Sequence, residues 1–205
     1  MPRTPTTTAL SEDTIVSAAL AIIARKGAAG LTMRDLASDL GVSPMAAYHY
    51  VESKDDLLRK VGNHIWGSIT VPPPEAGPWT ERLRAAVIAE RQALSPYPGL
   101  ESAIIYLDVD RKRAFEDAEL DLLLDAGIAP AQAVPAYRTL MSWVAGNRFI
   151  ESTLRDPKRR RPPSRQGKAQ RLSFDRDQVP EMDADDYFAF GLDALIAGLQ
   201  STLPG

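Results

Sequence analysis

Two serine caps, a proline, a tyrosine-rich turn and two separated cations fall within residues 32–54 of this 205-residue chain, in "TMRDLASDLGVSPMAAYHYVESK". Ser43 and Ser53 stand where a side-chain oxygen caps the start of a helix. Pro44 follows Ser43 at the first helical position, where its missing amide costs nothing. Gly41 can adopt the left-handed conformation that closes the preceding helix. A cap, a helix of about eight residues, a glycine, a second cap and a second short helix form the helix-turn-helix pattern. The chemistry on offer is non-covalent. The second helix can enter a DNA major groove N-terminus first, and both helix N-termini present free amides to phosphates. Against this, no Lys or Arg occurs between Ser43 and Tyr50. The same residues could therefore form a small buried helix.

Other chemistries find no support. His49 and His64 are fifteen positions apart and the chain has no cysteine, so no metal site is expected. The carboxylates of "LDVD" (Leu107 to Asp110) and "EMDADD" (Glu181 to Asp186) read as helix caps and solvated charge. There is no glycine-rich phosphate loop and no nucleophile elbow. No cofactor and no enzymatic activity are expected. No apolar run is long enough for a bilayer, and "MPRTPTTTALSED" lacks the apolar core of a signal peptide. A cytoplasmic protein with no membrane contact is the expectation.

The elements that must position the motif are helical throughout. Strand alternation and hairpin turns are nearly absent, so the fold class expected is all-α. The first helix begins near Ser11, buries Ile15, Ala18, Ala19, Ile22 and Ile23, and stops at Gly27. The second starts at Thr32, with Asp35 completing a capping box, and ends at Leu40. Ser53 caps a fourth helix, again with a capping box at Asp56, running to about Thr70. The proline-rich "VPPPEAGPW" (Val71 to Trp79) breaks the chain. Helical segments follow in "WTERLRAAVIAERQAL", "LESAIIYLDV" and "DRKRAFEDAELDLLLDAGI". A long helix from Pro130 has Pro135 in its first turns and ends by Pro157. A last helix covers roughly Ala184 to Thr202. This divides the chain into a three-helix helix-turn-helix domain (1–66) and a larger helical bundle (67–205).

Charge is distributed unevenly. The chain carries −3 overall, but residues 155–176 hold nine Lys/Arg against two Asp, a local +7 that leaves −10 elsewhere. Residues 1–66 are balanced at seven basic and seven acidic side chains, so bulk electrostatics alone do not nominate them for DNA. The basic, proline-containing stretch 156–180 reads as a mobile loop, either solvated between two helices or adding nonspecific attraction to phosphates.

The segment "LTMRDLASDLGVSPMAAYHYVESKDDLL" resembles the DNA-binding segment of the TetR family of transcriptional regulators. The matching positions are Leu31-Thr32, Leu36-Ala37, Leu40 to Ser43, Tyr48, Tyr50, Ser53-Lys54 and Leu57-Leu58. The wording of "VSPMAAYHYV" leans toward the tetracycline-repressor-like branch. Roles follow by implication from that resemblance. Arg34, beside Met33 in the first turn of the second helix, would reach the major groove. Thr32 and Ser43 would cap and bind phosphate. Pro44, Met45, Ala46 and His49 would sit where the family contacts bases. Tyr48 and Lys54 would hold phosphates. Each has a plainer alternative: Arg34 a solvated charge, His49 a surface histidine, Tyr48 a core aromatic. For Tyr50 the core reading is preferred. Met45 and Ala46 depart from the usual pattern and leave methyl contact rather than hydrogen-bond readout.

The resemblance further implies a homodimer on a palindromic operator, with a small-molecule effector held in the C-terminal domain. The long helix and the last helix are the expected four-helix interface, with Gly191, Ala194 and Gly198 allowing close approach. Trp143 and Asn147, four apart, with Tyr106, His64 and Trp66, are the candidate effector wall, core packing being the alternative for each. The expected function is a ligand-responsive repressor. A small all-α enzyme and a helical interaction module are the rivals.

Overall fold

The computed structural model describes residues 10–155 and 183–203. The expected mobile loop 156–180 lies outside the described residues. Among them the regular elements are helices: α1 (Glu12–Lys26), α2 (Met33–Leu40), α3 (Pro44–Ala47), α4 (Lys54–Trp66), α5 (Trp79–Leu94), α6 (Leu100–Ile104), α7 (Asp110–Asp125), α8 (Pro130–Arg155) and α9 (Ala184–Gln200). The all-α expectation holds.

Local chemistry sets most boundaries. Ser11 and Thr14 form a reciprocal capping box at α1, and Asp183 with Asp186 form another at α9. The two boxes expected at α2 and α4 do not close. Thr32 and Ser53 do accept the amides of Asp35 and Asp56, at 3.0 and 3.1 Å. The return bonds are diverted. Asp35 takes Lys26 Nζ at 2.8 Å and the Thr32 hydroxyl at 2.8 Å, while Asp56 takes the Glu52 amide and Arg59. An opposite charge within reach outcompetes the cap amide for the carboxylate. α4 stops at Trp66, four residues before Thr70. The Ser68 hydroxyl and amide both turn back on Ile65 O, and Pro72 disfavours helix for the residue before it.

The interior forms two apolar clusters. The first joins α1, α2 and α4 to Ala86, Leu94, Leu100, Ile104, Val109 and Phe115. The second is built from Leu83 and Val87 of α5, Leu122 and Leu123 of α7, Tyr137, Leu140 and Val144 of α8, and Phe188, Leu192 and Ile196 of α9. The boundary expected at residue 66 is therefore crossed by a shared core, with α4 the common element. Trp66 of α4 is only 2% exposed.

Gly191 serves packing within the chain. A Cβ there would overlap the Trp143 ring, so this glycine lets α9 lie against α8. Gly191→Ala should destabilise the fold by about 1–3 kcal/mol, read as a lower midpoint of urea unfolding.

Candidate nucleic-acid interface

α2 and α3 form the compact corner the sequence pattern requires. Gly41 closes α2 in the left-handed conformation (φ 66°, ψ 29°). Val42 N–H then reaches back to Ala37 O at 3.0 Å, the long bond of a Schellman closure. The Ser43 hydroxyl accepts the Ala46 amide at 3.2 Å and starts α3. Ala47 and Val51 are buried beneath it. What remains outside is Pro44, Met45, Tyr48 and His49, with Met45 71% exposed. A methionine so exposed costs solvation and gains nothing from the core.

Several expectations change. Met33 is half-buried and packs on the first cluster, so it serves the core rather than the outer face. Tyr50 is 40% exposed, against the core reading preferred for it, because Ala47 and Val51 take the inward positions. Tyr48, at 45%, is also exposed. The Thr32 hydroxyl proton is given to Asp35, so the hydroxyl is committed to the cap and the neighbouring amides are what α2 offers an anion. Its bond to Lys26, then that to Thr32, holds the Asp35 carboxyl below the usual carboxylate range.

The cations sort themselves. Six Lys or Arg occur in the described part of this domain. Four are paired: Arg25 with Asp39 (2.5 Å), Lys26 with Asp35 (2.8 Å), Arg59 with Asp56 (3.3 Å) and Lys60 with Glu12 (2.5 Å). Arg34 and Lys54 make no ion pair among the described residues. Lys54 also opens α4, against the positive end of the helix dipole, where a cation is unfavourable for the helix itself. An unpaired cation in a position that does not help its own helix is available for an external anion. Among the described residues, two positive charges are thus left free, one on each side of a cation-free reader helix.

The candidate effector residues scatter. Trp66 donates Nε1–H to the buried Glu90 at 3.2 Å. Trp143 packs on Phe188 with ring centroids 5.1 Å apart, and Asn147 keeps a buried Oδ1 with no hydrogen bond. His64 is exposed on α4, and Tyr106 is 96% exposed, so neither shares a wall with the others. Leu100 and Ile104 take the inward side of α6, which leaves Ile105 and Tyr106 outside. Sequence reasoning missed Glu90 and Glu119, which are 6% and 0% exposed. Their positions in the apolar stripes Leu83-Val87-Glu90-Leu94 and Phe115-Glu119-Leu122 were the available signal.

An exposed, capped two-helix corner flanked by unpaired cations defines a helix-turn-helix DNA-binding protein. Comparison with known proteins agrees. Residues 15–61 match the family described as "Bacterial regulatory proteins, tetR family", and residues 71–203 match "Tetracyclin repressor-like, C-terminal domain". The chain belongs to the tetR family, and is thereby a DNA-binding transcriptional regulator of a generally non-enzymatic class. An HTH-type transcriptional regulator of Saccharopolyspora erythraea is 27% identical over 148 residues, 71% of this chain and 63% of that protein. The chain thus spans less than two thirds of that relative's length. The class G tetracycline repressor protein of Vibrio anguillarum is 27% identical, covering 94% of this chain and 95% of that one. BioQ, solved with its double-stranded DNA operator, superimposes with a TM-score of 0.68 at 26% identity, over 94% of this chain and 99% of that one. Among the described residues, no helix is long and apolar enough to cross a membrane.

Proposed function

We propose that the chain is a homodimeric repressor that binds an inverted-repeat operator and is released by a small-molecule effector. The observation that carries this reading is the pair of unpaired cations, Arg34 and Lys54, beside the exposed Pro44–Met45–Tyr48–His49 face. Lys54 and Tyr48 hold phosphates, Arg34 reads a base edge, and Pro44, Met45 and Ala46 discriminate by shape and by contact with thymine methyls. BioQ bound to its operator and the tetracycline repressor relative support the two halves of the proposal.

Coupling passes through α4. The Asn63 side chain accepts the Arg111 amide at 3.0 Å and so caps α7, which has no side-chain cap of its own. Trp66 is tied to Glu90 of α5, and Ala28 N–H bonds Pro98 O at 2.9 Å. A ligand that moves α5 or α7 therefore moves α4 and with it the reader. The shift cannot exceed the ligand's differential affinity for the two states.

Selection of bound sites from random double-stranded DNA tests the reading. An inverted repeat with half-sites about 34–36 Å apart is expected; selection of no sequence at all would refute it. Lys54→Ala should weaken binding to every sequence alike and make the salt dependence shallower by about one unit. Arg34→Ala should cost about 1–3 kcal/mol at one base position and relax preference there. Unchanged preference in Arg34→Ala would remove its reading role.

A further inference from the structure

α2 must approach DNA, yet most of its own charge opposes the encounter. In a helix-turn-helix the first helix crosses the phosphate backbone. The charged side chains of α2 (Met33–Leu40) are Arg34, Asp35 and Asp39, a net −1. The two carboxylates stand four positions apart and so share one side of the helix. Both are met from the same place. Arg25 and Lys26 occupy the last turn of α1 and reach across to α2. Arg25 Nη2 lies 2.5 Å from Asp39 Oδ2, and Lys26 Nζ lies 2.8 Å from Asp35 Oδ1. With both pairs closed, the charge left over on this face is that of Arg34.

As fasteners these pairs contribute little. All four side chains stay 33–54% exposed, and exposed ion pairs add almost nothing to a fold. Leu36 and Ala37, both buried, hold α2 in place. What the pairs do change is the field that a phosphate meets. A bare carboxylate within a few ångströms of a phosphate repels it, and salt screens so short a distance only partly. Asp35 cannot escape by taking up a proton, because its bond to Lys26, then that to Thr32, holds the carboxyl below the usual range. It needs a counter-charge. We infer that Arg25 and Lys26 are positioning residues for DNA binding: they touch no DNA, but cancel Asp39 and Asp35, so that α2 shows the phosphates the charge of Arg34 alone. The inference rests on the DNA-reading assignment of α2 and α3 above and adds two residues of α1 to it.

A charge cycle on the full chain is the test, with binding measured on a duplex recovered by the selection above and on an unrelated duplex of equal length. Lys26→Met bares Asp35 and should weaken binding to both duplexes alike, by about three- to tenfold for each copy bound. Asp35→Asn releases Lys26 and should tighten both. The double variant Lys26→Met/Asp35→Asn restores the wild-type net charge. It should bind both duplexes as wild type does, with the same salt slope. Arg25→Met and Asp39→Asn should repeat the pattern. A tether that merely docks α2 on α1 gives another result: the double variant lacks the ion pair, stays weak, loses preference for the selected duplex and unfolds at lower urea. A direct phosphate contact by Lys26 gives a third: the double variant stays weak and its salt slope is shallower by about one unit. Either result, or a Lys26→Met variant that binds as wild type does, would overturn the inference. Wild-type binding to the selected duplex separates the two readings. Intact wild-type binding without the charge cycle sinks only the role of Arg25 and Lys26, whereas absent wild-type binding sinks the regulator.

Discussion

Phe190→Glu should leave the chain folded, render it monomeric and lower operator affinity by about 10²–10⁴-fold, the avidity lost when two linked readers become independent. Phe190 is 69% exposed on α9. It shares an outward stripe with Tyr187 (54% exposed), Ala194, Ala197 and Gly198, while Phe188, Leu192 and Ile196 face the second core. α8 presents a comparable stripe through Ala145, Gly146 and Ile150, the last 58% exposed. A Cβ added at Gly146 or Gly198 would meet nothing within 4 Å, so these surfaces are open to another backbone. Two adjacent apolar stripes exceed what a monomer usually leaves in water. Packed against their copies they would make the four-helix interface proposed from the sequence. An isologous interface brings each substitution in twice, so the two introduced carboxylates would bury like charges at a desolvated centre. The monomer fold is spared, because Phe190 supports none of its core. Sedimentation velocity reads the assembly and an operator titration reads the affinity. A dimer that persists with unchanged affinity would place the interface on another face.

The helix-turn-helix was legible because its signals are local. Ser43, Pro44, Gly41 and Ser53 act within one turn of themselves, and a cap or a left-handed glycine needs no tertiary partner. The helical order of α5 to α9 was legible from periodicity and prolines for the same reason. Three features were not. The capping boxes at Asp35 and Asp56 failed because Lys26 and Arg59 compete for the carboxylates, and Lys26 belongs to another helix. The pairing of Arg25, Lys26 and Lys60, which leaves Arg34 and Lys54 free, depends on how α1 lies across α2 and α4; a charge count of a balanced domain hides it. Glu90 and Glu119 lay in plain periodicity, yet a glutamate on an apolar stripe is easily read as the stripe's edge. Only packing of α5 on α7 and α8 shows that Glu90 and Glu119 are inside. Tyr106 fails as an effector contact for a related reason. On a five-residue helix the inward side is taken by Leu100 and Ile104, and nothing covers the residues that follow.

Glu119 should make the stability of the fold depend on pH, and Glu119→Gln should remove that dependence. Burial, then the charges of Glu90 and Glu116, raise the Glu119 carboxyl from its ordinary 4.5 to about 9. Burial and Glu101 raise Glu90 to about 7. The groups facing Glu119 are Glu90 from α5, Glu116 and Lys112 on α7 and Tyr137 from α8; Trp66, Glu101, Lys112 and Arg148 face Glu90. Lys112 opposes the rise at both sites and Arg148 at Glu90, but burial outweighs them. Between pH 4.5 and 9 the folded chain keeps a proton on Glu119 that the unfolded chain gives up. This contribution is fully present below pH 4.5 and is lost as pH rises toward 9, at a limiting slope of about 1.4 kcal/mol per pH unit. The Gln variant binds no such proton. Its stability relative to wild type should therefore rise from about pH 5 to about pH 9, by on the order of a few kcal/mol. Urea unfolding at stepped pH, with the denaturant slope unchanged, measures the difference directly, and carboxylates common to both proteins cancel. A constant difference across that range would mean that water already solvates the carboxyl in the fold.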